Sequence, residues 1–458
     1  MLVCRCGTNI ASVVDVPRVA AFAAGLPGVV ESIEVTYACS QGTLTKLQEM
    51  VREKDLNRVV NASCSIRTHL ALFREALQEA GVNPYLVEMA NIRDQCSWVH
   101  GQAHREATEK AEDLVAMAVG KAAQLRPLVT GSIPLERSAL VVGGGVAGLT
   151  AALELAEQGF PVELVERDDD LGGSLRWLHH TAEGADAGAY LSNLLLAVER
   201  AGITVHTGTT VEGGMGRFHS RLRRGGETWD IEYGAAILAT GTQVLADPGH
   251  GHGTDPRVLT ARELDEQLRS TSFPGAAGHC TVFLACVGSR EYGRAYCSRT
   301  CCSQGVRQAR ELLRRDPTGR VYVLYRDMRT YGFWEEEYLA AWEEGAIFCR
   351  FTPEDPPRVT AGETLTVQVT DDISGLYTEL TADRLVLLTA AVPATGSADL
   401  AGAVIFPRTA GEAAIQGRGA AARATALLAP GKLVVGGSVA VVDEARCAGC
   451  LTCVRVCA

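Results

Sequence analysis

Leu140-Val141-Val142-Gly143-Gly144-Gly145-Val146-Ala147-Gly148-Leu149 decides the fold of this 458-residue chain. An apolar run breaks into glycines and resumes with helical spacing, which reads as strand, tight turn and helix. Pro161 to Glu166 is a second apolar run that ends in an acid, so the segment predicts a βαβ unit. In this G-x-G-x-x-G pattern Gly143 permits the turn, Gly145 lets the backbone approach a pyrophosphate, and Gly148 allows helix and strand to pack closely. The helix N-terminus offers unpaired N–H groups to the anion, and Glu166 is placed to hold ribose hydroxyls. The apolar run Ala139 to Leu153 is short for a membrane span and carries four glycines, so no span is expected.

FAD and NAD share this fingerprint. Leu171-Gly172-Gly173 and Ala236-Ile237-Leu238-Ala239-Thr240-Gly241 resemble later motifs of the two-dinucleotide-domain flavoproteins of the thioredoxin reductase type. The resemblance favours FAD, with Gly172, Gly173, Thr240 and Gly241 near it. A second half is expected from a strand over 278–287, a helix over 303–314, a strand over 319–325, a return strand over 384–388 and a final helix over 413–428. Where that half should carry its own glycine turn stands Cys286-Val-Gly-Ser-Arg-Glu-Tyr-Gly-Arg-Ala-Tyr-Cys297-Ser-Arg-Thr-Cys301-Cys302. A second nucleotide would lack its backbone cradle there. Four thiols suit a [4Fe-4S] cluster; a zinc site or a catalytic dithiol usually shows C-x-x-C spacing, which adjacent Cys301-Cys302 lacks. Cys280 and Cys349 read as core residues.

Residues 1–130 alternate short apolar runs with helical periodicity: strands at Leu2 to Cys4, Ile33 to Cys39 and Arg58 to Cys64, with helices near 17–25, 43–53 and 69–80. This is a small α/β domain. Cys4, Cys6, Cys39, Cys64 and Cys96 lie at or near successive strand ends, and in open α/β sheets those ends converge on one edge. Five thiols exceed the four a cluster needs, and free cysteines are often simply buried, so both readings stand. His69 and His100 read as local hydrogen-bond partners. Charged residues Arg326 and Asp327, with Tyr331, read as a solvated turn. A charged helix over 105–125 and a link through Pro127, Gly131 and Pro134 lead into the flavoprotein core at 136–440, whose nicotinamide-like half spans about 246–372. At 441–458, Cys447-Ala-Gly-Cys450-Leu-Thr-Cys453-Val-Arg-Val-Cys457 has the spacing of a bacterial ferredoxin. In two-cluster ferredoxins the fourth cysteine serves the other cluster, so this segment reads as a truncated ferredoxin motif.

Composition bounds the rest. A net charge of −11 argues against nucleic-acid partners, whose phosphates call for clustered Lys and Arg. With 15 cysteines and no signal-peptide pattern, the chain is expected in the cytoplasm, where thiols serve as metal or redox ligands rather than as disulfides.

Longer strings stand out beside these motifs: Cys4-Arg-Cys6-Gly-Thr-Asn-Ile, Asn57-Arg-Val-Val-Asn-Ala-Ser-Cys64, Arg67-Thr-His69, Asn91-Ile-Arg-Asp-Gln-Cys96-Ser-Trp98-Val-His100, Ala107-Thr-Glu-Lys110-Ala and Tyr325-Arg-Asp-Met-Arg-Thr-Tyr331-Gly. Together they resemble a known family, the A subunit of heterodisulfide reductase. The resemblance implies an FAD- and [4Fe-4S]-dependent electron-transfer subunit within a hetero-oligomer. It implies partner subunits of the heterodisulfide reductase type, a donor of the hydrogenase or formate dehydrogenase type, ferredoxin, and flavin-based electron bifurcation. It also implies that Cys286, Cys297, Cys301 and Cys302 ligate a cluster. The chain departs from the family in three places. No ferredoxin insert separates Gly173 from Ala236, no second cysteine motif follows Cys457, and the family's cysteine-and-proline turn reads Phe406-Pro-Arg-Thr-Ala-Gly-Glu412. Two other classes compete: a stand-alone NAD(P)H-dependent thiol or disulfide reductase, and a non-catalytic assembly scaffold.

Overall fold

Polar caps punctuate the N-terminal third and set where its helices begin. Asp15, Ser40 and Ser65 each accept a backbone N–H from the first turn of the helix they precede. In the computed structural model, which describes residues 1–212, 218–245, 248–270, 277–393, 407–436 and 445–450, these caps open α1 (Val16–Ala24), α2 (Gln41–Glu53) and α3 (Ile66–Glu79). Between them run β1 (Leu2–Cys4), β2 (Ile33–Val35), β3 (Val59–Ser63) and β4 (Val87–Asn91); a π-helical turn over Arg93–Ser97 leads to α4 (His104–Gln124). The strands form a parallel sheet in the order β2-β1-β3-β4. Helices α1 and α4 pack on each other, as do α2 and α3, around one apolar core. The strand order reverses between β1 and β3, so the carboxyl ends of these two strands flank a crevice where such sheets take ligands.

The chain divides into two compact units, one of Met1–Ile133 with Val434–Ala458 and one of Pro134–Leu433. A strand β5 (Thr130–Pro134) carries it into the second unit. There β6 (Ala139–Val142), α5 (Val146–Glu157), β7 (Val162–Val165), α6 (Ala187–Arg200) and β8 (Thr204–His206) come first. An antiparallel sheet of β9 (Thr209–Glu212), β10 (His219–Arg224) and β11 (Glu227–Glu232) follows, and then β12 (Ala235–Leu238) returns beside β6. The parallel sheet β12-β6-β7-β8 is the first nucleotide fold.

A strand β13 (Thr242–Val244) leads to the second nucleotide fold: β14 (Val258–Thr260), α7 (Ala261–Leu268), β15 (Cys280–Val287), α8 (Thr300–Arg315), β16 (Arg320–Tyr325), α9 (Trp334–Glu343) and β17 (Ile347–Arg350). The antiparallel strands β18 (Arg358–Ala361), β19 (Leu365–Thr370) and β20 (Tyr377–Ala382) precede β21 (Arg384–Thr389). Its sheet order is β14-β21-β15-β16-β17, all parallel. The next strand, β22 (Ala391–Pro393), pairs back with β13, and the long helix α10 (Ala410–Leu428) then returns to the first fold and lies on α5. The last strand is β23 (Lys432–Gly436). A capping box of Thr409 and Glu412 starts α10. Its contact with α5 is so close that a Cβ at Gly417 would stand 2.3 Å from the Ala147 carbonyl oxygen.

Several elements differ from the sequence reading. The strand expected over 33–39 stops at Val35, so Cys39 sits in the turn before α2 rather than at a strand end. Cys96 lies in the π-helical turn after β4. The final helix begins at Ala410 because Thr409 caps it, three residues before the apolar spacing suggested.

Candidate functional site

The glycine turn is built by steric exclusion. Gly143 has φ +110°, and a Cβ there would lie 2.3 Å from the Ala239 carbonyl oxygen. A Cβ at Gly148 would lie 1.8 Å from the Gly143 carbonyl oxygen, so α5 can reach β6 only because both positions lack side chains. At Gly145, by contrast, a Cβ would meet open space. This residue is the N-cap of α5, and no side chain caps the helix, so the first turn presents its N–H groups to the cradle. Glu166 accepts the Gly144 N–H at 2.6 Å and the Asp168 N–H at 3.0 Å, which fixes its carboxylate at the rim.

The later motifs gather at the same place. Gly172 donates its N–H to the Gly144 carbonyl at 2.7 Å, and a Cβ on Gly173 would come within 3.1 Å of Gly145 Cα. Gly172 and Gly173 both have positive φ, as does Gly241. Thr240, next to the Ala239 carbonyl that closes on Gly143, has a buried hydroxyl with no hydrogen-bond partner. An orphaned hydroxyl beside an open cradle is what a nucleotide ligand would satisfy. These residues therefore fit an FAD.

A cavity of about 240 Å³ continues from the cradle. Its wall starts at Ser174, directly after Gly173, and at Thr242, directly after Gly241. Arg408, Thr409 and Ala410, at the start of α10, close one side. Cys301 and Gln304 of α8 close another. Sequence reasoning singled out 406–412 only as a departure from a family pattern, and it missed Asp265, Gln304 and Gln308 altogether. Amide side chains on a charged amphipathic helix carry no signal until the partner helix is known.

The cysteine loop stands at the carboxyl end of β15. Cys286 has φ +65° where the register of β15 shifts against β21, an unusual conformation for a residue with a side chain. From there the loop runs to Ser298, wholly buried, whose hydroxyl accepts the Ala391 N–H at 3.0 Å. Arg299, also at positive φ, is the N-cap of α8 and bonds Tyr331 at 2.5 Å and Glu412. Cys301 and Cys302 occupy the first turn of α8 and are buried. A hydrogen bond between them pushes the Cys301 thiol up and draws Cys302 down, with burial opposing the latter. Burial raises the Cys286 thiol, and Cys302 and Cys297 add to this. The Cys297 sulfur accepts the Arg299 N–H at 3.3 Å. All four thiols thus lie within electrostatic reach of one another, with Arg290 acting on Cys286 and Cys302. That donor set fits an iron–sulfur cluster. Among the described residues, no group of three or more His, Cys, Asp or Glu side chains is already drawn into metal-holding geometry.

At the N-terminal sheet edge, the Cys4 sulfur accepts the Ala38 N–H at 3.4 Å, and its thiol is raised by burial and further by Cys6 and Cys39. Cys64, after β3, is raised by burial and feels Arg93 and Cys39. Cys6 sits at φ +37°. Cys39 thus lies within electrostatic reach of both Cys4 and Cys64, and Cys6 within reach of Cys4; Cys96 stands apart. It is wholly buried and donates to the Ala107 carbonyl at 2.9 Å, on α4. His100 bonds Lys110 at 3.0 Å. Cys280 is buried in β15 and Cys349 half-buried in β17. Arg326 and Arg350 bracket Asp327, which pairs with Arg290 at 2.6 Å, so this turn braces the cysteine loop. Cys447 and Cys450 are exposed, while Cys453 and Cys457 lie outside the described residues.

Two parallel nucleotide folds, a glycine cradle and a cavity shared with buried thiols define an oxidoreductase of the two-dinucleotide-domain flavoprotein class. In agreement, residues 137–271 match the family described as Pyridine nucleotide-disulphide oxidoreductase. The second iron–sulfur A subunit of the CoB–CoM heterodisulfide reductase of Methanopyrus kandleri is 32% identical, covering 99% of this chain and 89% of the relative. The A subunit of the H2:CoB–CoM heterodisulfide,ferredoxin reductase of Methanothermobacter thermautotrophicus is 31% identical with the same coverage of each. The chain belongs to the family of heterodisulfide reductase A subunits. Its alignment with the Methanopyrus relative spans 588 residues, longer than the chain itself, so that relative carries segments this chain lacks. Among solved structures, Lactococcus lactis thioredoxin reductase matches at 17% identity and a TM-score of 0.46, over 64% of this chain and 99% of that one. No described helix is long and apolar enough to cross a membrane.

Proposed function

We propose that this chain is an FAD- and [4Fe-4S]-dependent electron-transfer subunit of a cytoplasmic heterodisulfide-reductase-type complex. The observation that carries the reading is Cys301: it belongs to the four-thiol loop and also lines the cavity that continues from the glycine cradle. Gly143, Gly145, Gly148, Glu166, Gly172, Gly173, Thr240 and Gly241 would hold the FAD. FAD, when bound, exchanges electron pairs for single electrons, and clusters carry the single electrons onward. The protein's own residues bind, orient and insulate. Helix α5 faces its N-terminus to the phosphates, and α8 presents Cys301 and Cys302 in its first turn, where the helix dipole favours negative charge. Ser298 and Arg299 hold the loop, and Arg290 offsets charge gathered on the thiols.

Cys286, Cys297, Cys301 and Cys302 are assigned to the core cluster, and Cys4, Cys6, Cys39 and Cys64 to an N-terminal one. Cys447, Cys450, Cys453 and Cys457 are assigned to a ferredoxin-type motif at 441–458, in addition to a core at 136–440 and an N-terminal domain at 1–130. The reading assigns as partners a donor of the hydrogenase or formate dehydrogenase type, ferredoxin and a disulfide-type acceptor on partner subunits, with electron bifurcation as the chemistry a bound flavin would supply. The Methanothermobacter relative's name couples H2, a heterodisulfide and ferredoxin, which supports that direction. Anaerobic purification with FAD, iron and sulfide quantified tests the reading. One FAD and at least about four iron atoms per chain are expected, and iron below that level defeats the core-cluster assignment.

A further inference from the structure

Three carboxyl groups line the cavity that continues from the glycine cradle: Asp265, Glu311 and Glu337. Two of them are paired. Glu311 bonds Arg315 at 2.7 Å, and Glu337 pairs with Arg307 at 3.2 Å and with Arg310. Asp265, on α7, is 3% exposed and is held by neutral amides instead; Gln304 of α8 donates to it at 2.7 Å, and Gln308 lies beside it. Arg269, a cation that acts on it from a distance, donates its Nη1 to the carbonyls of Leu175 and Leu178. The backbone of His179 also faces it, and the His179 ring is itself held toward its neutral form by burial. Among the described cavity carboxyls, Asp265 is thus the one without an ion pair. A buried carboxylate in such surroundings takes up a proton readily when negative charge arises nearby.

We propose that Asp265 is the proton-holding group of the flavin cavity. It would take one proton from solvent, becoming a carboxylic acid, when two-electron reduction by dithionite adds negative charge to the site of a bound flavin, and would return that proton to solvent on reoxidation. The inference rests on the flavin reading above. Burial already pushes the Asp265 carboxyl up to about 6, close to the range where a modest added charge protonates it. Asp265 acts through the cavity field rather than by contact with reacting atoms, so it is a positioning residue.

The test uses the full chain carrying FAD, with dithionite as reductant. FAD content is measured first: a protein that holds no flavin overturns the flavin reading and the proposal with it, whereas the later outcomes bear on Asp265 alone. With FAD bound, potentiometric titration in mildly alkaline buffer is expected to give two protons per two electrons for the wild type and one for Asp265→Asn. Redox-difference infrared spectra of the wild type should gain a protonated-carboxyl band on reduction. That band should vanish in Asp265→Asn and persist, shifted, in Asp265→Glu. Equal proton uptake in wild type and Asp265→Asn overturns the proposal. So does a wild-type spectrum without a carboxyl change, which needs no variant to fold.

Discussion

The two strand–helix junctions of the second unit follow the same path and hold different chemistry. After β6 the chain turns through three glycines straight into α5; β15 carries Cys286 next to its end, and a long loop bearing Cys297 follows before α8 begins at Thr300. Each helix starts without a side-chain cap, so each leaves its first N–H groups for whatever lies in front of it. In the first half that space is open for a phosphate, and in the second half the helix's own first turn carries Cys301 and Cys302. The comparison teaches that a nucleotide-fold edge is a general site for negative charge. Loop composition decides whether the charge arrives with a ligand or is supplied by thiols.

Gly148→Val gives the most forceful break in this picture. With the Gly143 carbonyl 1.8 Å from the new Cβ, α5 must leave β6. Bound FAD is expected to be lost, with a stability decrease of about 3 kcal/mol or more, read by flavin absorbance and denaturant melts. Cys286→Ala separates the halves in the opposite sense: iron should fall by about four atoms per chain while FAD stays. Unchanged iron would remove the loop from the ligand set.

A third expectation concerns the cavity where the halves meet. The Asp265 carboxyl is raised to about 6 from 3.8, so the folded chain binds more protons than the unfolded one between those values. The contribution of Asp265 to stability is therefore greatest below about pH 4 and is lost as pH rises through 6, by about 3 kcal/mol in total. Asp265→Asn should remove that slope, seen as the difference between wild-type and variant unfolding curves at mildly acidic and neutral pH. A smaller effect is expected at the cradle rim. Glu166→Ala strands two N–H groups, of Gly144 and Asp168, and should weaken FAD retention by about 1–2 kcal/mol in dialysis. Arg299→Ala is the mildest: its half-exposed pairing with Glu412 and Tyr331 is worth about 1 kcal/mol, visible as a small drop in melting temperature with FAD and iron retained.

How much of this was legible in the chain follows from the physics of each part. The first junction could be read because its constraints are steric and local: Gly143, Gly145 and Gly148 announce a turn, an open approach and a close packing. The cysteine loop could be read as a concentration of thiols, but not its anchoring by Ser298 and Arg299, whose partners are 93 and 113 residues away. The five N-terminal cysteines looked equivalent in sequence. Only the π-helical turn and the packing of α4 turn Cys96 away from the other four, and such turns leave no periodic signature. The sheets β9–β11 and β18–β20 were missed because their exposed faces dilute the apolar pattern, as in Arg221, Arg223, Glu227 and Asp230.

Cys286 stands, with its positive φ, where the first half uses Gly143 for the same bend. A glycine there would relax the backbone by about 1 kcal/mol. Selection for stability alone would therefore favour glycine, and the thiol can persist only under a separate demand for sulfur at that point. Seen as a historical constraint, the position is a one-step gate: a single codon change toward glycine would strengthen the fold while erasing the chemistry, so drift by way of stabilising changes is a route by which members of such a lineage could lose the loop's redox role and keep its shape.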